Sequence, residues 1–582
     1  MSDVPVADLV LRNAKVVTFA ASRPLAESIA LKDGRVLAVG SEAELGPLTA
    51  AARHTADLGG RVVLPGLNDS HIHAMRAGLD WERTLHWEDV RSLSEALTRV
   101  REAAAGRPPG EWIRVIGGWH SRQLRENRLP TRAELDAAAP DHPVYLQELY
   151  DRAVLNSAAL ARCGWDGATA DPPGGRLLRD ASGSLTGEVT GTGAFAVPSA
   201  LAGTAGLEEK IRGTAAMMAA FAGHGLTGVV DGGGMATVPG DYDALYELWR
   251  RGGLPVRTRL FLCTWTRGGE VDDYAQLTTI AQPDFGDGML KVSGAGEMPH
   301  SGCHDFEGLD PEFAISDASY ADLLQITRRC ANRGWRMSVH AVLDRSLARV
   351  LDAWEQVERE TGQISRLRWS IVHADGASEA SLRRVAALRA GVLVQDRLLL
   401  KGADYVRAWG QAAADAAPPL GAMRQLGITI GGGTDATRAN WYSPWASIWW
   451  LVTGRSIDGA TRRQARDRMS RHDAIASYTR DAAWFTGEDG WRGRLSPGYD
   501  ADLCVPDDDP FECAEGELRD LVSDLTIAGG HETVDELGGR RTCGLRACGK
   551  LVDRQWALFG EDTQCSCMRQ RYRAGDARCT PA

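Results

Sequence analysis

Apolar and polar positions alternate over the first 60 residues, in DLVLRNAKVVTF and again in ESIALKDGRVLAVG. Alternation with a period of two is typical of half-buried strands, and KDGR is a turn sequence that joins antiparallel neighbours. From residue 61 the pattern changes, because short apolar runs are separated by segments of helical length such as SYADLLQITRRCANRG. The chain therefore predicts antiparallel strands first, then alternating strands and helices.

Eight apolar runs make up the alternating part of the chain. The first is RVVLPGLNDSHIH, and the others span residues 225–233, 256–265, 289–298, 336–342, 368–375, 391–397 and 427–437. Strands that are buried on both faces have continuous apolar runs, and eight such strands with intervening helices predict an α/β fold, the (β/α)8 TIM barrel.

Two further units are predicted around this barrel. The gap after the first run is too long for one strand-to-helix loop and contains the strand-like WIRVIGGWH and HPVYLQELY, which indicates an inserted α/β subdomain over the barrel mouth. GRLSPGYDADLCV, after the barrel, returns to short strands and predicts a small composite β-sandwich built from both ends of the chain. The expected segments are 1–60 and 486–534 for the sandwich, 61–76 for the first barrel strand and metal loop, 77–220 for the insert, 221–485 for the remaining barrel, and 535–582 for a tail.

Composition narrows the choice of partners. The 582 residues are 44% hydrophobic and 25% charged with a net charge of −11, so no basic surface for nucleic acid or an anionic membrane is expected. No run approaches the roughly 20 apolar residues of a membrane helix, and MSDVPVADLV is not a secretory signal. We expect a cytoplasmic protein that binds a small-molecule substrate. The sequence does not define an oligomeric state, although homodimers are the most common assembly.

Polar residues that suit a metal occur where five of the eight runs end. In a barrel of this kind, reactive groups lie at the carboxyl ends of the strands, which converge. Imidazole nitrogens and carboxylate oxygens are the ligands that zinc accepts in catalytic sites. The residues at these ends are His71, His73, Glu297, His340, His373 and Asp435.

A single strand-end histidine is more often a hydrogen-bonded structural residue than a ligand. Six such residues at the ends of one predicted barrel favour a metal site instead. His300 and His304 follow Glu297 in EMPHSGCHDF; contact with substrate and a solvated loop are both open for them, and the solvated loop is favoured.

LPGLNDSHIH, the strand-end histidines and GGGTDAT together resemble the amidohydrolase superfamily of metal-dependent hydrolases. More narrowly, the chain resembles amidohydrolase family 3, the YtcJ-like group, from ADLVLRNAKVVT to about residue 534. PTRAELDAAAPDHPVYLQ and LNSAAL in the insert, and AIASYTRDAAWFTGEDGWRGRLSPGYDADLCV after the barrel, match the pattern of this group.

The resemblance implies metal ligands at His71, His73, His340 and His373, with Asp435 as proton shuttle and candidate ligand. Many relatives carry a lysine on the fourth strand, but the nearby Lys291 lies six residues before Glu297, roughly 20 Å along an extended strand. Glu297 is therefore the candidate fourth-strand ligand, and one or two Zn²⁺ ions are expected. Arg152 stands where many relatives have a histidine; it faces the substrate or forms a surface ion pair.

The resemblance implies hydrolysis of a C–N bond, of the amide or N-substituted formamide type. A bound Zn²⁺ lowers the pKa of its water to around 7, and Asp435 would carry the proton to the leaving nitrogen. Two alternatives stay open: deamination of a heterocycle, and a non-catalytic binding protein with the same fold.

One aromatic segment and one cysteine-rich segment remain. In NWYSPWASIWW, Trp445 and Trp449 have the spacing of one buried helical face and are expected in the core, whereas Trp441 is a candidate for substrate binding. The basic tail 535–582 carries five cysteines, for which a zinc site, a disulfide-linked arm and a plain extension are the alternatives, the last being favoured. These are Cys543, Cys548, Cys565, Cys567 and Cys579.

Overall fold

The computed structural model describes residues 5–234 and 237–535. Eight parallel strands form a nearly closed barrel in chain order, which confirms the predicted TIM-barrel fold. They are β1 (Leu67–Ile72), β2 (Leu226–Asp231), β3 (Arg257–Leu262), β4 (Leu290–Ala295), β5 (Arg336–Ala341), β6 (Ser370–His373), β7 (Gly391–Gln395) and β8 (Ile430–Gly433). The first and last strands lie side by side, since Ser70 Oγ donates to the Gly432 carbonyl at 2.6 Å.

Helices cover the outside of the barrel. The longer helices between successive strands are Leu207–Ala222, Asp243–Arg250, Glu270–Ile280, Asp317–Asn332, Asp344–Thr361, Glu379–Ala387, Arg397–Trp409 and Leu420–Gln425. Pro444–Thr453, Arg471–Ser477 and Ala482–Phe485 follow β8. Their apolar faces and the outward faces of the strands share one continuous core, which includes Trp354, Trp369 and Trp445. Among the described residues, no helix combines the length and the apolar character needed to cross a membrane.

The first predicted strand is two strands, which corrects the single run read from the sequence. Val62–Pro65 pairs with Lys15–Val17 and Leu503–Pro506 in the small β-domain, and only Leu67–Ile72 belongs to the barrel. Gly66 separates them, and a Cβ at this position would lie 2.2 Å from the side chain of Thr227. The chain therefore changes sheets at a position where no side chain fits.

Both ends of the chain build the small β-sandwich. One sheet contains Leu9–Arg12, Ser28–Lys32, Arg35–Gly40 and His54–Asp57. The second contains Lys15–Val17, Leu25–Ala26, Val62–Pro65, Leu503–Pro506, Ser523–Ala528 and His531–Asp535. Apolar residues from both sheets and both chain ends form one core, among them Leu11, Ile29, Leu503 and Leu525.

The predicted antiparallel pairing in the N-terminal part is confirmed for Ser28–Lys32 and Arg35–Gly40, which the KDGR turn joins, but it does not hold for every strand. Leu9–Arg12 pairs parallel to His54–Asp57, and Lys15–Val17 pairs parallel to Val62–Pro65. The connection from Leu9–Arg12 to His54–Asp57 includes the helix Glu42–Ala51, which begins with a capping box at Ser41 and Glu44. A helix in this crossover lets two strands return in the same direction, as parallel pairing requires.

The insert has a sheet and cores of its own. Its five strands, in spatial order, are Arg176–Arg179, Leu185–Thr190, Arg152–Leu155, Val144–Glu148 and Ile113–Ile116. The helices Leu93–Ala105, Arg132–Ala138, Ser157–Cys163 and Thr192–Leu201 lie in the same part of the chain. The segment boundaries given above remain predictions, and the predicted cysteine tail lies outside the described residues.

A buried network of charges joins the amino end of the barrel to the segments after it. Glu488 Oε1 lies 2.9 Å from Arg259 Nη2 on β3 and 3.2 Å from Lys291 Nζ on β4, while Glu488 Oε2 accepts from Arg492 at 2.7 Å. These cations hold the pKa of the Glu488 carboxyl far below its usual range although burial acts against them. Lys291 therefore lies at the end of the barrel opposite to Glu297.

Replacing Glu488 with glutamine is expected to lower the free energy of unfolding by about 3–5 kcal/mol, because the buried Arg259 loses its counter-ion and Arg492 keeps only Asp502. The measurement is the midpoint of thermal or urea unfolding. Glu379→Gln is the matched control, since the Glu379–Arg383 pair is 64% exposed on both sides and should contribute nothing measurable. Equal midpoints for both variants would contradict a stabilising role for the network.

Candidate metal centre

The carboxyl ends of five barrel strands bring six polar side chains together. His71 lies in β1 and His340 in β5, while His373 ends β6. The other three follow their strands by one or two residues. All six are at most 6% exposed: His71, His73, Glu297, His340, His373 and Asp435. The structure therefore brings together the six residues that the strand ends pointed to, and their roles as ligands and proton shuttle remain predictions.

Glu297 lies at the middle of this cluster. Its Oε2 is 3.3 Å from His71 Nε2, 3.4 Å from His340 Nδ1 and 3.8 Å from His373 Nε2. Its Oε1 is 3.3 Å from His73 Nε2. Two groups able to hold a metal ion share this carboxylate, one with His71 and His73 and one with His340 and His373.

Outer hydrogen bonds define which nitrogen of two histidines faces Glu297. His73 Nδ1 lies 2.7 Å from the Gly233 carbonyl, and His340 Nε2 lies 2.6 Å from the Phe306 carbonyl. Because a carbonyl only accepts, both of these nitrogens carry the proton. His73 Nε2 and His340 Nδ1 then present lone pairs towards Glu297, as ligands of a cation must.

The charges of the cluster favour a cation. Burial lowers the pKa of His71, but Glu297 and Asp435 outweigh it and raise the pKa to about 10. The same balance raises the pKa of His73 to about 9. His71 Nε2 is buried and makes no hydrogen bond to any described residue. A metal ion can take the place of the protons that these carboxylates would otherwise hold on the imidazoles. The nitrogen and oxygen atoms of the cluster are the donor types that Zn²⁺ accepts.

Asp435 lies beside the two histidines of β1. Its Oδ1 is 3.1 Å from His73 Nε2 and 3.7 Å from His71 Nε2, and its backbone N–H donates to the His71 carbonyl at 3.0 Å. Asp435 and His373 adopt left-handed φ angles of 56° and 78°. Non-glycine residues in this region are strained, and such strain concentrates at functional sites. Gly433 permits the close approach of β8 to β1, since a Cβ there would lie 2.7 Å from the backbone nitrogen of His71.

Asp305 is a site residue that the sequence analysis missed. Its carboxylate lies 3.0 Å from His340 Nε2 and accepts from the backbone N–H groups of Val342 at 3.1 Å and Leu343 at 2.8 Å. Burial alone would raise the pKa of Asp305, but His340 and the backbone donors have the larger effect. The pKa therefore lies below its usual value, and the carboxylate stays ionised. It therefore holds the His340 ring in one orientation from the side opposite Glu297.

Asp305→Asn is expected to weaken zinc binding by about 10–100-fold, the usual cost of losing an outer carboxylate behind a histidine ligand. Competition with a chromophoric chelator measures this affinity without reference to activity. Asp273→Asn is the matched control, since Asp273 is also buried and accepts from two backbone N–H groups, of Trp265 and Thr266, but contacts no histidine of the cluster in the part of the chain that the structure describes. Unchanged zinc affinity in Asp305→Asn would remove the positioning role.

Arg152 and His300 have their polar contacts outside the cluster, whereas the His304 ring stacks on that of His340 at a centroid distance of 3.7 Å. Arg152 Nε donates to Glu148 at 2.6 Å with the arginine side chain 38% exposed. His300 Nε2 lies 3.3 Å from Asp322, and the favoured solvated loop was wrong because His300 and His304 are both only 8% exposed. The loop folds back onto the barrel and buries both rings.

The four tryptophans of NWYSPWASIWW are all buried. Trp445 and Trp449 belong to the barrel core, as the helical spacing predicts. Trp441 is also buried, and its Nε1 donates to Gln123 of the insert at 3.2 Å. Arg91 of the insert lies over the Trp441 ring at 4.9 Å. Trp441 therefore connects the last barrel loop to the insert, and its role in substrate binding remains a prediction.

A third cluster, of His120, Asp151 and Asp404, has metal-ligand spacing where the insert meets the barrel. Lys401 Nζ donates to Asp151 at 2.7 Å, and Arg122 forms two hydrogen bonds with Asp404, of 2.6 and 3.0 Å. These carboxylates are already neutralised by cations. The cluster therefore acts as a contact between insert and barrel.

Comparison with known proteins agrees with this fold and site. The family model described as the Amidohydrolase family matches residues 54–534. The chain is 27% identical to an N-substituted formamide deformylase of Arthrobacter pascens, over 88% of this chain and 96% of that protein. It is 26% identical to the putative amidohydrolase YtcJ of Bacillus subtilis, over 87% and 95%.

Solved structures share the fold. An uncharacterized metal-dependent hydrolase from Pyrococcus furiosus superposes with a TM-score of 0.62 at 22% identity, over 87% of this chain and all of that one. The fold is that of a barrel hydrolase, and the side chains gathered at the carboxyl end of the barrel are able to hold a metal ion. The match over most of its length shows that the chain belongs to the amidohydrolase family, which confirms the predicted resemblance to the YtcJ-like group.

Proposed function

We propose that the protein is a zinc-dependent hydrolase that cleaves the C–N bond of a small amide or N-substituted formamide. One observation carries the proposal: two groups of histidines that are able to hold a metal ion share Glu297, with Asp435 Oδ1 lying 3.1 Å from His73 Nε2. A mere binding site for a metal has no need of a second carboxylate beside the ligands. The similarity to a formamide deformylase over nearly its whole length supports the substrate class.

His71, His73, Glu297, His340 and His373 would hold one or two Zn²⁺ ions, and the shared position of Glu297 suits two. When bound, Zn²⁺ supplies a Lewis acid for the carbonyl and lowers the pKa of water to around 7. Burial alone would raise the pKa of Asp435, but its histidine neighbours have the larger effect and bring it well below its usual value, so the carboxylate is ionised.

Asp435 moves the proton in this scheme. Its Oδ1 accepts a proton from the attacking water and then donates it to the leaving nitrogen, which would otherwise depart as an unstable anion. The fixed backbone hydrogen bond from Asp435 to the His71 carbonyl keeps this carboxylate beside the ligands throughout. Proton transfer of this kind contributes about 10²–10⁴-fold to the rate.

The test combines metal analysis with a substrate panel. Zinc per chain is measured by mass spectrometry, and release of a primary amine is followed for matched series of formamides and acetamides. Stoichiometric zinc and amine release that a chelator abolishes and added zinc restores are expected. Ammonia release from a heterocycle would instead identify a deaminase. Folded protein that binds no metal and cleaves no member of the panel would favour the non-catalytic alternative.

A further inference from the structure

Phe306 is a large apolar side chain that stays exposed beside the metal cluster. It is 53% exposed, although the residues on both sides of the loop pack against the barrel. Its ring centroid lies 5.0 Å from that of His304, and the His304 ring stacks on His340 at 3.7 Å. Two ring contacts therefore separate Phe306 from a histidine whose Nδ1 faces Glu297.

The backbone that carries this ring is fixed by side-chain hydrogen bonds to three successive carbonyl groups. The Phe306 carbonyl accepts from His340 Nε2 at 2.6 Å and from Arg397 Nη2 at 3.2 Å. The Glu307 carbonyl accepts from Tyr405 at 2.9 Å, and the Gly308 carbonyl accepts from Trp409 at 2.8 Å. A loop held in this way presents the phenyl group in one position.

Phe306 has an unfavourable backbone conformation for its type. Its φ angle is 50°, a left-handed value that is uncommon for a bulky residue. Neither the backbone strain nor the exposed phenyl stabilises the fold, and such outliers persist at ligand-binding positions where the surroundings impose them. A structural role would call for a buried ring or for a smaller residue.

The position of the loop also agrees with contact to substrate. Lys401 donates to Glu307 of this loop and to Asp151 of the insert. Phe306 therefore lies where the insert meets the carboxyl end of the barrel, the end at which barrel enzymes bind substrates. Arg397, which donates to the Phe306 carbonyl, also has its Nε 3.9 Å from Asp435 Oδ2. One side chain thus links the loop to the proposed proton carrier.

We propose that Phe306 forms the apolar wall of the substrate site and selects amides that carry an aromatic substituent. The amide class of the ligand rests on the proposed function, but binding of an aromatic group against Phe306 does not depend on catalysis. Aromatic rings prefer offset or edge-to-face contacts, and a half-exposed phenyl offers a face for one. Burying both rings on binding removes apolar surface from water and favours aromatic over methyl-substituted ligands.

Binding of two non-identical ligands to the same protein tests this. The protein is the zinc-loaded full chain with Asp435→Asn, so that turnover does not interfere, and the ligands are N-phenethylacetamide and N-methylacetamide. Saturation-transfer NMR titration gives each Kd. Phe306→Ala is expected to weaken binding of the phenethyl ligand by about 10-fold or more and to leave the methyl ligand unchanged.

Phe285→Ala is the matched control. Phe285 is also an exposed phenylalanine, at 70%, but it pairs with Val292 on β4, away from the cluster. It should affect neither Kd. Phe306→Leu, which keeps an apolar side chain, should restore most of the phenethyl binding if Phe306→Ala has lost it.

Three results would overturn the proposal. One is equal affinity of the parent protein for both ligands, and another is equal weakening of both ligands by Phe306→Ala. The third is a loss of phenethyl binding in Phe285→Ala that matches the loss in Phe306→Ala. If the binding pattern is as expected but the protein with intact Asp435 releases no amine, the proposed function fails while the assignment of Phe306 stands.

Discussion

Asp435→Asn should lower kcat for amide hydrolysis by about 10²–10⁴-fold while zinc stays bound. Asparagine has nearly the same shape and, like aspartate, tolerates the left-handed φ angle of 56° at this position. The backbone N–H can still donate to the His71 carbonyl. What is lost is an oxygen that accepts a proton and returns it, so the chemical step slows and substrate affinity changes little.

The control for this variant is Asp396→Asn. Asp396 is also a buried aspartate at the carboxyl end of a barrel strand, where Ser447 donates to its Oδ1 at 2.6 Å. Burial raises the pKa of Asp396 to about 8, so the carboxyl is largely protonated near pH 7 and its amide is a close substitute. Steady-state kinetics and zinc content are measured for both variants. A kcat for Asp435→Asn within tenfold of the parent, with zinc retained, would remove Asp435 from proton transfer.

The barrel could be predicted because its eight strands are buried on both faces and read as apolar runs. Convergence of six distant residues then followed from geometry alone, since the carboxyl ends of the strands meet at one end. The run RVVLPGLNDSHIH misled because apolar character shows burial but not the sheet in which a strand is buried. Val62–Pro65 and Leu67–Ile72 are equally apolar and pair in different sheets.

The residues that were missed lie on loops and helix starts. Asp305 and Phe306 belong to a loop that folds back onto β5, and no periodicity encodes the path of such a loop. Arg397 ends the apolar run at 391–397, but arginine is not a metal ligand, so a search for ligand types does not select it. Residues that orient ligands or contact substrate need an argument from charge and position as well as from ligand type.

Glu297→Gln should remove both halves of the metal centre at once. The carboxylate is shared by the His71–His73 group and the His340–His373 group, and glutamine keeps its volume but not its charge. Without that charge, the cluster lacks the central anion that offsets the repulsion between a bound cation and the nearby Arg397, so metal binding weakens. The loss in kcat/KM should exceed the ~10–100-fold cost of losing an outer-shell partner, because a ligand itself is changed.

Comparison with His373→Ala gives this prediction its discriminating power. His373 belongs to one group only, so its removal should lower the metal content by half in a two-ion centre, whereas Glu297→Gln should lower it to near zero. Zinc per chain is measured by mass spectrometry after dialysis against a weak chelator, with circular dichroism to confirm folding. Full zinc content in Glu297→Gln would mean that the carboxylate only accepts hydrogen bonds from the histidines. Equal losses in both variants would instead indicate one ion held by ligands from both groups.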